Sequence, residues 1–331
     1  MDRALYSVRP FEKADYETEA RLDEQNDPGF GRTAEETRHW QEAEMAEPGH
    51  ISRKFVVEER LSGSAVAYGD LAHTSFNFHP QKFWIAATVD RAHQGWGIGT
   101  ELYDLLEQEA RARGATCLWA AVRQDDARAI RFFERHGFAL LRRTWRSRLD
   151  LSEVNLAALP DRSKELADDG IRITTLAAEG GERPGVRHRV FDLSQIASRD
   201  VPRMGEYTPV SFEQYVQIEF ENPGALPEGF FLAEHGGTYV GATLLTRELA
   251  HPDTLGIGFT GTHPDHRGRG IASELKRRAV RFARDQGYRY LVTNNDSLNR
   301  PIWAINERLG FQKMVTWLMG EKGMAGAGPP F

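Results

Sequence analysis

One cysteine, Cys117, is all that the 331 residues carry, so no disulfide can close within the chain. That suits a reducing compartment. Cys117 stands in the apolar run Ala115–Val122. No His and no helix start adjoins it to favour a thiolate, so it reads as a small buried residue and not a nucleophile. No stretch approaches the ~18 apolar residues of a membrane span. The first ten residues, Met1-Asp-Arg-Ala-Leu-Tyr-Ser-Val-Arg-Pro10, hold no apolar signal segment. Basic charge is short too: 42 Lys and Arg against 48 Asp and Glu give a formal net charge of −6. A general nucleic-acid binder would show the opposite balance. The expectation is a soluble, cytoplasmic protein with no nucleic-acid or membrane partner and no metal site.

What the chain holds in abundance is a copy of itself. At a constant shift of 173, without a gap, residues 89–138 and 262–311 agree at fourteen of fifty positions. Average residue usage would give roughly three or four. The repeat is too long for a solenoid unit, so it marks two copies of one domain. Residues 1–150 read as the first domain and 170–319 as the second. The polar stretch 151–169, which holds Pro160, reads as a linker. The Gly- and Pro-rich stretch 320–331 reads as a disordered tail. Each half opens on a short strand, Ser7–Pro10 or Gly170–Ile173. A helical stretch follows, Ala34–Glu44 or Phe212–Phe220. Then comes a hairpin: Lys54–Glu59 with Ala65–Leu71, or Phe230–Glu234 with Tyr239–Leu245.

In each copy an apolar strand, Phe83–Val89 or Leu255–Thr262, runs into a glycine-rich loop and then a helix. One face of that helix is apolar: Ile98, Leu102, Leu105 and Leu106, or Ile271, Leu275, Ala279 and Phe282. A helix start presents unpaired N–H groups and the positive end of the dipole. Glycines let the backbone close on an oxyanion, so this is an anion site. It is not a Walker loop, which needs Gly-Lys-Ser/Thr. Nor is it a dinucleotide fingerprint, because Gly95, Gly97 and Gly99 have the wrong last gap. Downstream lie a buried strand, Thr116–Val122 or Tyr288–Thr293, and a short helix closing in Gly-Phe. That helix is Asp126-Ala-Arg-Ala-Ile-Arg-Phe-Phe-Glu-Arg-His-Gly-Phe138 in one copy and Asn299-Arg-Pro-Ile-Trp-Ala-Ile-Asn-Glu-Arg-Leu-Gly-Phe311 in the other.

The pair Gln94-Gly-Trp-Gly97-Ile-Gly99 and Arg267-Gly-Arg-Gly270-Ile-Ala272, each with its Gly-Phe helix, resembles the GNAT superfamily of N-acetyltransferases. The doubled layout is similar to that of tandem acetyltransferases of the mycothiol synthase type. The resemblance implies an α/β (α+β) fold. Each domain would be a mixed, mostly antiparallel sheet with helices on both faces. Its two central parallel strands would splay apart to admit the pantetheine arm of acetyl-CoA. Carried over position by position, the cofactor would touch Val89, Gln94, Gly95, Trp96, Gly97, Gly99, Thr100 and Phe133 in the first half. In the second it would touch Thr262, Arg267, Gly268, Arg269, Gly270, Ala272, Ser273 and Asn299.

The implied reaction is attack of an amine on the acetyl thioester. An alkylamine with a pKa of about 10.4 is neutral in roughly one molecule per thousand near pH 7, so the site has to lower that pKa or take the proton. Many relatives carry a tyrosine in the Gly-Phe helix and a glutamate on the strand before the loop. Here the tyrosine position is Phe133 or Asn306, and neither strand holds a carboxylate. The second half keeps more polar groups and is the expected active half. Its candidates are Asn306 as a donor to sulfur or substrate, His263 as a proton relay, Asn294 on the strand, and Glu206 and Tyr207 before Phe212. The expected acceptor is a small-molecule amine, and the expected assembly a monomer or homodimer. A protein N-terminus or lysine as acceptor, or an acyl-CoA-binding module without catalysis, are the alternatives.

Overall fold

The computed structural model describes every residue except Phe30, Leu159 and residues 325–331. In chain order the first half gives β1 (Tyr6–Pro10), α1 (Tyr16–Asn26), α2 (Ala34–Glu44), β2 (Ser52–Glu59), β3 (Ala65–Ala72), β4 (Lys82–Val89), α3 (Ile98–Ala112), β5 (Cys117–Arg123), α4 (Ala127–Arg135) and β6 (Ala139–Asp150). A short helix, α5 (Ser163–Asp168), precedes the second half. That half gives β7 (Ile171–Thr175), α6 (Pro184–Ala197), and α7 (Phe212–Tyr215) running on into a π-helical turn, Val216–Phe220. β8 (Ala225–His235), β9 (Thr238–Arg247), β10 (Thr254–Thr262), α8 (Ile271–Asp285), β11 (Tyr290–Asp296), α9 (Arg300–Leu309) and β12 (Gln312–Gly323) complete it. Local chemistry sets many of the ends. Thr33 and Glu36 exchange side-chain and backbone bonds as a capping box at α2, and Asp126 accepts from the first N–H groups of α4.

The chain divides into two compact units. The first is Met1–Arg142, Met204–Val210 and the chain from Trp317; the second is Arg143–Arg203 and Ser211–Thr316. In the first unit the strand order is β1-β2-β3-β4-β5-β12, and in the second β7-β8-β9-β10-β11-β6. Each unit therefore takes its last strand from the other half of the sequence. Trp317–Gly323 of β12 pairs antiparallel with β5, and Thr144–Asp150 of β6 pairs antiparallel with β11. Residues 320–323, assigned above to a disordered tail, are ladder residues of β12 set against Cys117–Ala120. Residues 325–331 of that tail lie outside the described residues.

Each sheet is mixed and mostly antiparallel, with one parallel pair: β4 with β5, and β10 with β11. Adjacent residues of β2 show that helices cover both faces. Val56 packs with Leu22 of α1, while Val57 packs with Ile98 and Leu102 of α3, and successive strand residues point to opposite sides. The long helix after the glycine loop lies close on its sheet in both units. A Cβ added at Gly69 would come within 2.9 Å of Leu106, and one at Gly241 within 2.6 Å of Ile271. Gly241→Ala is therefore expected to push α8 outward and cost about 1–3 kcal/mol, the usual penalty of overpacking. A urea melt of the variant checks it; an unchanged midpoint would mean the helix shifts freely.

Candidate active site

Both parallel pairs are forks. β4 and β5 share only the register Lys82↔Cys117 to Trp84↔Trp119, and β10 and β11 only Thr254↔Tyr290 to Ile257↔Thr293. Beyond those points the strands part, and the freed backbone faces outward: Ala86 and Ala87 in the first unit and Gly258 in the second are exposed. The forks differ in one respect. β4 runs along β3 without a break from Trp84↔Ala72 to Val89↔Ala67. β10 slips against β9 between Ile257↔Leu245 and Thr260↔Thr243, so Gly258 and Phe259 oppose Leu244 alone. That is a β-bulge, which leaves ladder groups unpaired and re-aims the chain at the mouth of the fork.

At the far end of each fork lies the glycine loop. Gly95 and Gly97 have φ of +91° and +79°, and Gly268 and Gly270 have +76° and +82°. Only glycine adopts this region without penalty. Gly97 and Gly270 are the caps from which α3 and α8 start. The N–H groups of Ile98, Gly99 and Thr100, and of Ile271, Ala272 and Ser273, are first-turn donors without intrahelical partners. The residue at the head of each loop ties it back to its strand: Gln94 Nε2 donates to Val89 O at 3.2 Å, and Arg267 Nε to Thr262 O at 3.2 Å. Arg128 adds charge in the first unit by donating to Gln94, while Trp96 stands exposed beside it. In the second unit Arg267 pairs with Asp200 at 2.6 Å and Arg269 with Asp169 at 2.8 Å. Exposed pairs of this kind hold weakly and can yield to a phosphate. Asn299 caps α9 through its backbone and makes no side-chain cap bond. The segment ahead of each first strand lies against its loop: Met1 N sits 2.8 Å from a Cβ added at Gly97, and the Arg162 side chain abuts Gly270.

The candidates for chemistry do not converge. Asn294 is exposed, and strand alternation puts it on the face opposite Thr293 and Asn295. Asn306 is fully buried and donates to Asn295 Oδ1 at 2.7 Å; Asn295 in turn donates to Ser147 Oγ at 2.8 Å. It is thus a link in a buried polar chain and not an open donor to sulfur. His263 caps the turn after β10 by accepting from Asp265 N. It lies six residues beyond Ile257, about 20 Å along a strand from the fork. Glu206 and Tyr207 precede Phe212 in the chain but belong to the first unit. There Asn77 donates to Met204 O at 2.7 Å and Gly205 lies against Trp119. Phe133, placed above among cofactor contacts, is core: it is buried and stacks on Phe138 at 4.9 Å.

Sequence patterns missed the side chains that distinguish the two units on the α1–α2 face and its counterpart. Val57↔Ala67 in one unit and Ala233↔Gly241 in the other fix the correspondence, so the facing pair Lys54↔Asp70 becomes Phe230↔Leu244. In the first unit Lys54 Nζ lies 2.5 Å from both Glu19 oxygens, with Phe11, Tyr16 and Tyr68 rings 4.6–5.6 Å away. Tyr68 donates to Asp23, and Ser52 to Asp70. Burial pushes the Asp23 carboxyl up to about 6 and the Glu44 carboxyl up to about 7. In the second unit the same region is a cavity of about 360 Å³ with Phe230, Leu244, Leu226, Pro227 and Leu176 in its walls. Glu219, from the π-helical turn, lines it, and burial alone pushes its carboxyl up to about 7. Leu244 joins this cavity to the fork, since a Cβ added at the bulge residue Gly258 would lie 3.3 Å from it.

Doubled forks, doubled glycine cradles and a carboxyl-bearing cavity beside one bulge describe an acyl-transfer architecture, and comparison with known proteins agrees. The acetyltransferase (GNAT) family model matches the chain twice, over residues 15–138 and 193–311. A mycothiol acetyltransferase of Streptomyces bingchenggensis is 26% identical over 268 residues, 81% of this chain and 80% of that protein. N-acetyltransferase 8 of Mus musculus is 35% identical over 102 residues, 28% of this chain; the chain spans only 44% of its length. Among solved structures, a tandem GNAT protein from the clavulanic acid biosynthesis pathway superposes with a TM-score of 0.73 at 19% identity, covering 98% of this chain and all of that one. The two matched stretches fall on the two forks and their glycine loops, and the chain belongs to the GNAT family of acetyltransferases, carrying the family's domain in tandem.

Proposed function

We propose that the chain moves an acetyl group from acetyl-CoA to the amine of a small molecule, and that the second unit does the chemistry. The observation that carries this is the cavity beside the bulged fork, with the desolvated carboxyl of Glu219 in its wall. In the first unit the corresponding facing pair is Lys54 and Asp70, and the lysine is packed among Glu19 and the Phe11, Tyr16 and Tyr68 rings. The glycine cradles fit a pyrophosphate. Their left-handed glycines aim first-turn N–H groups outward, with Arg267 and Arg269 beside the second cradle.

The co-substrate brings an activated acyl thioester; the remaining steps belong to this chain. An ammonium entering the cavity leaves water for apolar walls, which lowers its pKa while the same walls raise that of Glu219. Glu219 in its carboxylate form takes the proton, leaving a neutral amine beside the fork. The unpaired backbone groups of the bulge at Gly258 and Phe259 supply a donor for oxyanion charge as it develops. As the C–N bond forms and the C–S bond breaks, the coenzyme A thiolate leaves and takes up the second proton shed by the nitrogen, and Glu219 returns the first to solvent for the next cycle.

Calorimetric titration with acetyl-CoA tests the cradles. Gly270→Glu is expected to abolish binding in the second unit by charge repulsion and lost approach, while leaving any binding by the first. Gly97→Glu should do the reverse, and only Gly270→Glu should stop thiol release with an amine. Gly270→Ala controls for folding, because it brings the same left-handed strain and the same contact with Arg162 without the charge. Turnover lost in Gly97→Glu but kept in Gly270→Glu would move the active site to the first unit.

A further inference from the structure

Resting on the reading of the second unit's cavity as the acceptor site, we infer that it takes a primary amine carried on an apolar body, and not one carried on a sugar, a polyamine or a peptide. The argument is the chemistry of the walls. Phe230 and Leu244 stand where the first unit has Lys54 and Asp70, so a position that elsewhere in this fold carries opposite charges has been made apolar. Leu226, Pro227 and Leu176 continue the same surface. Of the two carboxyls in the lining, Glu182 is exposed and paired with Arg187, which leaves Glu219 to meet the amine.

Arg187 is held in the cavity wall: Nε donates to Gly181 O at 2.9 Å, Nη2 to Glu182 at 2.8 Å, and its guanidinium lies 5.2 Å over the Phe220 ring. At about 360 Å³ the volume sits at the small end of ligand clefts, which run to about 300–1,000 Å³. A sugar hydroxyl or a second ammonium pressed against Leu and Phe walls has no partner there. Each such group is expected to lower binding about tenfold to a hundredfold. Each methylene that fills the apolar space works the other way and is worth several-fold.

The test uses the full-length chain with acetyl-CoA and follows thiol release. Propylamine, butylamine, pentylamine, hexylamine and 2-phenylethylamine are compared with glucosamine, spermidine and a lysine-containing tripeptide. The expected result is kcat/KM rising several-fold per methylene, with 2-phenylethylamine ahead of glucosamine and spermidine by at least about a hundredfold. Phe230→Lys should collapse that gap, mainly through KM, and Leu244→Asn serves the same purpose should the first variant fail to fold. A flat alkyl series, or a preference for glucosamine, spermidine or the peptide that Glu219→Gln still abolishes, overturns the substrate class and leaves the acceptor-site reading in place. Thiol release that is absent with every amine, or untouched by Glu219→Gln, overturns that reading and the inference with it.

Discussion

Replacing Glu219 with Gln is expected to lower kcat/KM by about 10²–10⁴, the usual share of a single positioned base. The side-chain shape is kept, so the loss should fall on kcat more than on KM. The wild-type rate should rise with pH around 7, where the carboxyl loses its proton. The variant should lack that limb and show only titration of the amine. Stability gives an independent reading of the same group. Its folded pKa of about 7 lies above the ordinary 4.5. Between those values the unfolded chain has already released the proton that the folded chain keeps, so folding loses stability as pH rises from 4.5 to 7. Glu219→Gln removes that penalty. The variant should melt with the wild type near pH 4 and above it at pH 8. A variant with full activity and an unchanged pH profile would end the case for Glu219 as base. An equal melting shift at both pH values would mean its carboxyl is not held in the protonated form.

Lys54→Met should produce the largest loss of stability. Lys54 and Glu19 are both almost fully covered, with side-chain exposures of 6% each. Replacing the lysine leaves Glu19 buried without its cation, beside the carboxyls of Asp23 and Asp70. Breaking one side of a buried pair costs about 3–5 kcal/mol, or roughly 6–20 °C of melting temperature for a unit of this size. Desolvation already raises the Glu19 pKa, and Lys54 is its main opposing influence. Without that cation Glu19 takes up a proton more readily, so the deficit should shrink as the solution is acidified toward pH 5. Scanning calorimetry at pH 5 and pH 8 reads both effects. A loss that does not vary with pH would point to the missing cation–π contacts with Phe11, Tyr16 and Tyr68 and away from the charge on Glu19.

Features that were legible in the sequence share one property: their cause is local. The left-handed glycines at 95, 97, 268 and 270 are needed by the backbone itself. The helix Ala34–Glu44 carries its own capping box, and the strands entering the loops show plain apolar runs. Features whose cause is remote could not be read. Nothing in β6 or β12 says which half each one completes, because both present the same pattern to equivalent partners. Asn306 reads as a free donor until Ser147, supplied by β6, is seen to close its polar chain through Asn295. α1 is thin in apolar residues at helical spacing, whereas α6 carries Val186, Val190, Leu193 and Ala197 at that spacing, a signal that was legible and went unread. Glu219 sits in the run Tyr215-Val-Gln-Ile-Glu-Phe220 as one acid among apolar residues. That was the available signal, and only the cavity gives it a meaning.

The crossed final strands govern the order in which this protein is completed on the ribosome. β5 ends at Arg123, yet its partner begins at Trp317, roughly 190 residues later. At about 5–20 residues per second, β5 waits some 10–40 s after its own synthesis with an unsatisfied edge. The second unit has no such delay, since Thr144–Asp150 is made before β11 needs it. The second half is therefore the first able to close its sheet, and the first half stays open to chaperones, and to pairing with a neighbouring nascent copy, until β12 has been made.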